Sequence, residues 1–347
     1  MTRERLVSLR RLSWVLAPVI TIAAFAYLLA QIEPAAIWRA LVAANRQALA
    51  AFFVILCAGV LARASRFWIL LDRSVRFPLL VGIVLVRNLF VDLLPARLGE
   101  LAYVYLLKQR AERAAGEGVA TVVIAAVLDV LVLAPMLLGA VLMLGAGGEV
   151  SATTLAGVSV GLGLLVIVAA IAAEPVVSWL DARWRGARPE SLAGRVHTRI
   201  ADDLQALVAS LRKAREGRVL WPALGLTLIV RACKFGAYYA LIVAVLAPGG
   251  FRSTPRGVAS AFLGVQSAEL AAMLPVHGVA GFGSYEAVWA FSFEQLGFSR
   301  DQAILSALLG HALFQGVEYV MGGIALLVLY RRASRPLPRI AVQDERS

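Results

Sequence analysis

The chain has 347 residues, of which 60% are hydrophobic and 16% charged, and its mean hydropathy is +0.79. Soluble domains are nearer half apolar and a quarter charged, so this composition excludes an ordinary soluble protein. A net charge of +12 is also typical of proteins that bind nucleic acid, but here the arginines cluster between long apolar blocks, as they do in membrane proteins. We therefore expect no nucleic-acid partner. Cys57 and Cys233 lie inside apolar blocks without metal-type spacing, which predicts neither a disulfide framework nor a metal site.

Eight apolar blocks follow one another along the chain, and most are near the roughly 20 residues that a helix needs to cross a bilayer. They span residues 13–32, 47–71, 78–94, 118–144, 153–173, 219–247, 257–274 and 301–330. The first block follows a basic segment, as in a signal peptide, but no small-residue cleavage site comes after it. We therefore expect it to be a retained span.

Clusters of Lys and Arg near the ends of the blocks predict the orientation, because such clusters stay in the cytoplasm. They place the N-terminus, the connection 174–218 and the C-terminal tail inside the cell, whereas residues 145–152 carry no Lys or Arg and belong outside. Within the long connection, the spacing of apolar residues over 192–211 indicates a helix that lies either on the membrane surface or in solvent.

The same rule puts both ends of two shorter segments on one side of the membrane. The first enters from the cytoplasm and returns over residues 78–107, with a turn at LPARLG (94–99). The second enters from outside and returns over 257–296, with a turn at LPVHGVAGFG (274–283). The sequence therefore predicts an all-α polytopic membrane protein with about six full spans and two re-entrant helical hairpins. An ordinary loop between two full spans is the alternative at each turn.

Two halves of the chain share a series of features in the same order. RASRF (63–67) is matched by RACKF (231–235), each hairpin motif ends in a Glu, and a span with a single acidic residue follows, Asp129 or Glu318. Because the predicted topology runs the two halves in opposite directions, this pattern indicates an inverted repeat, as in many alternating-access carriers. We expect one transmembrane domain over 1–335, with repeat one at about 47–146, repeat two at about 219–330 and a tail at 336–347.

Four basic side chains fall within the two matching motifs, at positions three residues apart that share one face of a helix. They are Arg63, Arg66, Arg231 and Lys234. A charge at the bilayer centre costs about 3 kcal/mol on insertion scales, so such residues normally face a cavity, a partner or a substrate. Together they would form a positive pocket that suits a phosphate group. Alternatively, Arg63 and Arg66 reach the headgroups or form structural ion pairs with Asp129 and Glu318.

The two predicted turns contain the residues that interrupt helices at membrane depth, namely Pro95, Gly99, Pro275, Gly278, Gly281 and Gly283. Backbone groups freed at such breaks are tolerated only where protein or a water-filled cavity satisfies them, and helix N-termini there would attract an anion. Ser284 is the expected N-cap of the second returning helix. A set of acids and histidines either balances the arginines or relays protons: Asp92, Glu100, Asp129, Glu269, Glu286, Glu318, His277 and His311.

Two longer segments carry a resemblance to a known family. LVRNLFVDLLPARLGELAYVYLLKQR (85–110) and LPVHGVAGFGSYEA (274–287) resemble the paired signatures of the lysylphosphatidylglycerol synthase transmembrane-region family. Its flippase-like members are similar to the membrane half of the multiple peptide resistance factor. The resemblance covers nearly the whole chain and implies a lipid translocase. It gives functional weight to Pro95, Arg97, Gly99, Glu100, Pro275, Gly281, Gly283 and Glu286.

This chain departs from that family pattern at particular positions. Asp92 stands where many relatives have Asn, and Tyr103 where an Arg is common, which leaves the polarity of the first hairpin and the lipid headgroup open. No aminoacyl-transfer domain follows residue 330, so we expect that the protein does not itself make lysyl lipid.

Three functions are compatible with these features, and no hydrolase or nucleotide-binding motif occurs. The one we favour is a translocase that moves an anionic phospholipid or a polyprenyl-phosphate lipid between leaflets of the bacterial plasma membrane, without catalytic residues, cofactor or metal. Its expected substrate-binding residues are Arg63, Arg66, Arg97, Arg231, Lys234, Glu100 and Glu286. The second is a membrane transferase that uses a polyprenyl-phosphate-linked sugar, with Glu100 or Glu286 as base. The third is a non-catalytic scaffold for a lipid or glycan synthase; a homodimer and a partner synthase remain open.

Overall fold

The structure is a computed structural model that describes residues 34–93, 99–144, 205, 209–210, 212, 219–271 and 283–333. Several predicted features lie outside the described residues. These are the apolar blocks 13–32 and 153–173, most of the basic connection with its helix at 192–211, the central parts of both hairpin turns, and the tail.

Nine α-helices and no β-strand occur within the described residues. The helices are α1 (Pro34–Ala43), α2 (Arg46–Leu70), α3 (Phe77–Leu93), α4 (Gly99–Ala111), α5 (Ala115–Leu144), α6 (Leu220–Leu246), α7 (Pro255–Ala271), α8 (Ser284–Gln295) and α9 (Arg300–Ala333). The prediction of an all-α chain is confirmed for this part of the protein.

Four of these helices are long and apolar enough to cross a membrane, namely α2, α5, α6 and α9. They correspond to four of the predicted full spans. The helix α2 begins directly after Asn45, whose side-chain oxygen accepts hydrogen bonds from the N–H groups of Gln47 and Ala48 at 3.0 and 3.1 Å. At 1.5 Å per residue, its 25 residues extend roughly 37 Å, which exceeds the hydrocarbon core of about 30 Å.

The remaining large helices form two pairs in which the members pack against each other, α3 with α4 and α7 with α8. They are short: α3 and α7 have 17 residues each, whereas α4 has 13 and α8 has 12. At 1.5 Å per residue these lengths are roughly 18 to 26 Å, less than a full crossing. The structure describes α3 up to Leu93 and α4 from Gly99, and the predicted turn between them lies outside the described residues.

The second returning helix differs from the prediction at its first residue. Ser284 is already helical, and Gly283 occupies the N-cap position with φ +96°, a value that favours glycine. The expectation that Ser284 is the N-cap is therefore wrong by one residue.

The most extensive helix contact in the described structure joins α2 and α6, which run antiparallel. At one end the Asn45 N–H donates to the Ala244 carbonyl at 2.9 Å. In the middle a Cβ placed on Gly59 would lie 3.1 Å from Cβ of Cys233, so this close approach depends on the missing side chain. At the other end the α2 residue Arg66 contacts Thr227. The RASRF motif therefore lies beside the region of Thr227, and the RACKF motif beside the region of Gly59, so the two motifs are offset along the crossing helices.

The other long helices pack around this crossing in corresponding ways. The helix α9 lies against α3, and α5 lies against α7, so each pair of short helices contacts a long helix of the other half of the chain. The contact of α9 with α3 is tight at Gly322, where an added Cβ would lie 2.6 Å from Cβ of Leu89. Apolar cores flank the crossing on both sides, one containing Trp289 and Phe293 and the other Phe67 and Tyr103.

Candidate functional site

A group of charged side chains joins α2, α5, α6 and α7. Arg66 Nη1 of α2 donates to Asp129 Oδ1 of α5 at 2.7 Å, and Arg231 Nη2 of α6 lies 3.2 Å from the other carboxylate oxygen. Arg231 Nη1 is also 3.7 Å from Glu269 Oε2 of α7, and Lys234 Nζ is 2.7 Å from Glu269 Oε1. We call these five residues the central charge cluster.

Four of the five residues of the central charge cluster lie on helices that are long and apolar enough to cross a membrane, and Glu269 lies on the shorter α7. Arg231 is roughly 17 Å along α6 from its start, and Asp129 is roughly 21 Å along α5, at 1.5 Å per residue. An unpaired charge at that depth is costly, which explains why each cation has a carboxylate partner. Arg66 is only 2% exposed and also donates to the Thr227 hydroxyl at 3.1 Å. Its side chain is therefore inside the bundle, where it forms the ion pair with Asp129 that was one of the alternative interpretations of the sequence.

The central charge cluster has more positive than negative groups. It contains the cations Arg66, Arg231 and Lys234 but only the carboxylates Asp129 and Glu269, so one positive charge is in excess when all five are ionised. The side chains of Lys234 and Asp129 are 28% and 21% exposed, so one side of the cluster is accessible. Within the described residues, the buried Nε of Arg66 has no hydrogen-bond partner. The cluster thus has both charge and donor capacity for an anion.

A second polar group connects α2, α3, α4 and α9. Arg63 Nη1 donates to Asn88 Oδ1 at 2.7 Å, and Asn88 Nδ2 donates to Glu318 Oε1 at 3.1 Å. Arg87 Nη1 also donates to Asn88 Oδ1 at 3.2 Å, and its Nε donates to Glu100 Oε2 at 2.7 Å. Two cations and two carboxylates balance here, so this group carries no excess charge.

The sequence-based candidates omit Arg87, Asn88 and Thr227, which the structure places in these groups. All three lie in apolar helices whose average hydropathy conceals single polar positions. The sequence alone could have identified Arg87 and Asn88, because a charged and an amide side chain next to each other inside an apolar helix need partners.

Glu286 lies at the start of α8 and links the second hairpin to α9. Its Oε2 accepts a hydrogen bond from the Gly283 N–H at 2.7 Å, and its Oε1 lies 2.5 Å from His311 Nδ1. The Tyr285 ring stands 4.3 Å from the imidazole, centroid to centroid. Glu286 is fully buried, so these contacts account for both of its oxygens.

The structure thus distributes the predicted residues over three places. Arg66, Asp129, Arg231, Lys234 and Glu269 form the central charge cluster; Arg63, Glu100 and Glu318 belong to the second polar group; Gly283, Glu286 and His311 hold the second hairpin. Outside the described residues are Pro95, Arg97, Pro275, His277, Gly278, Gly281 and the side chain of Asp92.

A protein-family model matches most of the chain. The family model described as the lysylphosphatidylglycerol synthase TM region matches residues 14–322. The chain belongs to this family. The resemblance noted in the two hairpin motifs is thereby confirmed, and family membership together with the four long apolar helices makes this a membrane protein. No curated protein and no solved structure matches the chain.

Proposed function

We propose that this protein is a lipid translocase, which moves an anionic, phosphate-bearing lipid between the two leaflets of the bacterial plasma membrane. Membership of a family named after the membrane region of a lipid synthase supports a role with lipids. The observation that carries the proposal is the sharing of Asp129 by Arg66 of α2 and Arg231 of α6. Cations from both halves of the chain converge there on a single anionic group.

The charge of the central charge cluster suits a phosphodiester headgroup. A phosphodiester carries one negative charge, which would neutralise the one excess positive charge of the cluster. Guanidinium groups bind phosphate oxygens through two parallel hydrogen bonds, which gives Arg66 and Arg231 the geometry for this role. Asp129 and Glu269 pair with these cations when no lipid is bound, so that only one positive charge is left over. A phosphate that enters competes with Asp129 for the guanidinium groups, and this competition weakens lipid binding but favours release.

The proposal includes an inverted repeat that comprises α2–α5 and α6–α9. Three features support it: α2 and α6 are antiparallel, each half has one pair of short helices, and the contact of α3 with α9 corresponds to that of α7 with α5. Short paired helices are the expected form of re-entrant hairpins; α7 brings Glu269 to the central charge cluster, and α3 and α4 bring Arg87, Asn88 and Glu100 to the second polar group. Opposite rocking of the two repeats would open the cluster to each leaflet in turn.

Leaflet exchange in vesicles tests the proposal directly. Purified protein is reconstituted with a fluorescent phosphatidylglycerol, and the fraction accessible to an external quencher is followed with time. We expect Arg231→Gln and Lys234→Gln to slow exchange at least tenfold, because each removes a cation that neutralises the phosphate. Lys234→Arg should retain most of the rate.

A matched control distinguishes the cluster from general charge effects. Arg113→Gln removes a cation that is paired with Glu117 at 3.9 Å near the start of α5 and should leave exchange unchanged. Equal exchange in wild type, Arg231→Gln and Lys234→Gln refutes this version of the translocase, in which the central charge cluster receives the phosphate. Exchange no faster than in protein-free vesicles favours the scaffold hypothesis. Turnover of a polyprenyl-phosphate-linked sugar in detergent, where no second leaflet exists, would instead favour the transferase.

A further inference from the structure

A cavity of about 580 Å³ lies at the end of the bundle where α5 ends and α7 and α9 begin. Its walls come from the last residue of α5, the connection between α6 and α7, the first turns of α7, and the segment between α8 and α9. It is separate from the central charge cluster. Arg256 at the rim and Glu269 in the cluster both belong to α7, and lie roughly 20 Å apart along the helix at 1.5 Å per residue.

Two guanidinium groups give this cavity its charge. Arg252 and Arg256 both line it and both are exposed. Neither forms an ion pair with a carboxylate of the described residues, in contrast to Arg66, Arg87 and Arg231. Arginines that point into the same cavity without acidic partners are suited to bind an anion through several charge-assisted hydrogen bonds.

Neutral polar side chains add further donors. The Thr254 hydroxyl oxygen accepts the Gly257 N–H at 3.0 Å, which leaves its O–H free to donate. Gln302 uses its side-chain oxygen to accept the Ser299 N–H at 3.2 Å, so its amide nitrogen can face a ligand. Ser260 lies deeper in the wall and is 5% exposed. These donors suit an oxyanion with several oxygens.

Part of the cavity wall is apolar. The rings of Phe251 and Phe298 are stacked with 5.7 Å between their centroids, and Leu144 and Leu296 extend this surface. A small inorganic anion would gain nothing from such a wall. An amphiphile would place its anionic group on the arginines and the first part of its chains on the aromatic rings.

The expected orientation strengthens this interpretation. This end of α5 leads into residues 145–152, which belong outside the cytoplasm by the charge rule. Basic residues are biased toward the cytoplasmic side, so topology alone does not explain two arginines at the opposite end.

We propose that this cavity is a second lipid-binding site, which holds the phosphate-bearing headgroup of an anionic lipid from the non-cytoplasmic leaflet. The role of this site as the point where a transported lipid enters or leaves the protein rests on the proposed function. Lipid binding in the cavity does not rest on it, because the cavity and the central charge cluster consist of different residues.

Native mass spectrometry of the full chain with short-chain phosphatidylglycerol tests this inference. We expect two tightly bound lipids in the wild type and one in the double variant Arg252→Gln/Arg256→Gln. The affinity of the double variant for the lipid of the cavity should fall at least tenfold. The matched control is Arg300→Gln, which removes an exposed cation at the start of α9 outside the cavity and should keep both lipids. Phosphatidylcholine of the same chain length should bind at least tenfold more weakly at the arginine site.

The variants separate the two proposals. Arg231→Gln should lose the lipid of the central charge cluster but keep the one that depends on Arg252 and Arg256. If the lipid that depends on Arg252 and Arg256 is lost only in the double variant, the result supports lipid binding in the cavity even when no leaflet exchange is observed. Equal lipid binding by wild type and double variant overturns the inference, as does complete displacement of this lipid by millimolar inorganic phosphate, which would identify a soluble anion as the ligand. Because both arginines are exposed, thermal unfolding of the double variant should match that of wild type.

Discussion

Asp129→Asn is the sharpest perturbation of the central charge cluster, because it removes the carboxylate that a lipid phosphate must replace. The wild-type carboxylate lies 2.7 Å from Arg66 and 3.2 Å from Arg231. Each pair is worth about 4 kcal/mol or more at the effective dielectric constant of 20 typical of protein sites. Desolvation offsets most of this gain, and Asp129 is 21% exposed, so screening reduces it further.

We expect competition by the Asp129 carboxylate to weaken the binding of the lipid phosphate by about 1.4 kcal/mol, which corresponds to a tenfold change in affinity. Asp129→Asn should therefore bind phosphatidylglycerol about tenfold more tightly than wild type, because the cations no longer have this internal competitor. Leaflet exchange should become slower, since release requires the carboxylate to return to the two guanidinium groups. Asp129→Glu keeps the charge and should lie near wild type in both measurements.

Lipid titration in detergent gives the affinity, and the quenching assay in vesicles gives the exchange rate. The control Asp301→Asn removes an exposed carboxylate at the start of α9 and should change neither. Weaker phosphatidylglycerol binding by Asp129→Asn, together with unchanged exchange, would refute the idea that Asp129 stands in for the lipid phosphate.

Two further substitutions test how the helices are held together. Gly322→Ala should lower the free energy of unfolding by about 1 to 3 kcal/mol, because the new Cβ would lie 2.6 Å from Cβ of Leu89. Glu286→Gln should cost about 2 kcal/mol and slow exchange, because the amide has one acceptor oxygen where the carboxylate uses two oxygens, one for the Gly283 N–H and one for His311 Nδ1. Thermal unfolding in detergent measures both stabilities.

The controls for these two substitutions are close to the mutated sites. Gly323→Ala adds a Cβ with no neighbouring atom within 4 Å and should be neutral, or stabilising by up to about 1 kcal/mol. If Gly322→Ala and Gly323→Ala unfold alike, the tight contact of α9 with α3 is not present in the membrane protein. Wild-type stability and exchange in Glu286→Gln would exclude a role for this carboxylate in holding the hairpin.

Hydropathy and charge predicted the long helices well, because a long apolar run must end where polar residues and loops begin. The predicted block 219–247, for example, is α6 at Leu220–Leu246. The two re-entrant segments were predicted from a different constraint, the requirement that basic segments stay on one side. The structure has a pair of short helices in each of these segments, α3 with α4 and α7 with α8, and the central parts of both predicted turns lie outside the described residues.

The pattern of contacts among the polar residues was not predictable in the same way. Arg63 and Arg66 share a helix face, yet Arg66 contacts Asp129 directly, whereas Arg63 donates to Asn88, which in turn holds Glu318. Which partner a side chain reaches depends on the rotation and spacing of packed helices, and these are set by many apolar contacts together. Sequence spacing gives the face of one helix but not the position of its neighbour.

In the proposed translocase, the close crossing of α2 and α6 would limit how the two halves of the chain move. Because α2 approaches Cys233 closely at Gly59, we expect sliding of the two helices to be opposed at this contact and rotation about it to be easier. The basic residues of α2 and α6 lie within about two helical turns of this contact, so a rotation about it would displace them little. The short helix pairs lie farther away and would move more. The lipid headgroup would then meet an almost stationary binding site, while the opening to either leaflet changes around it.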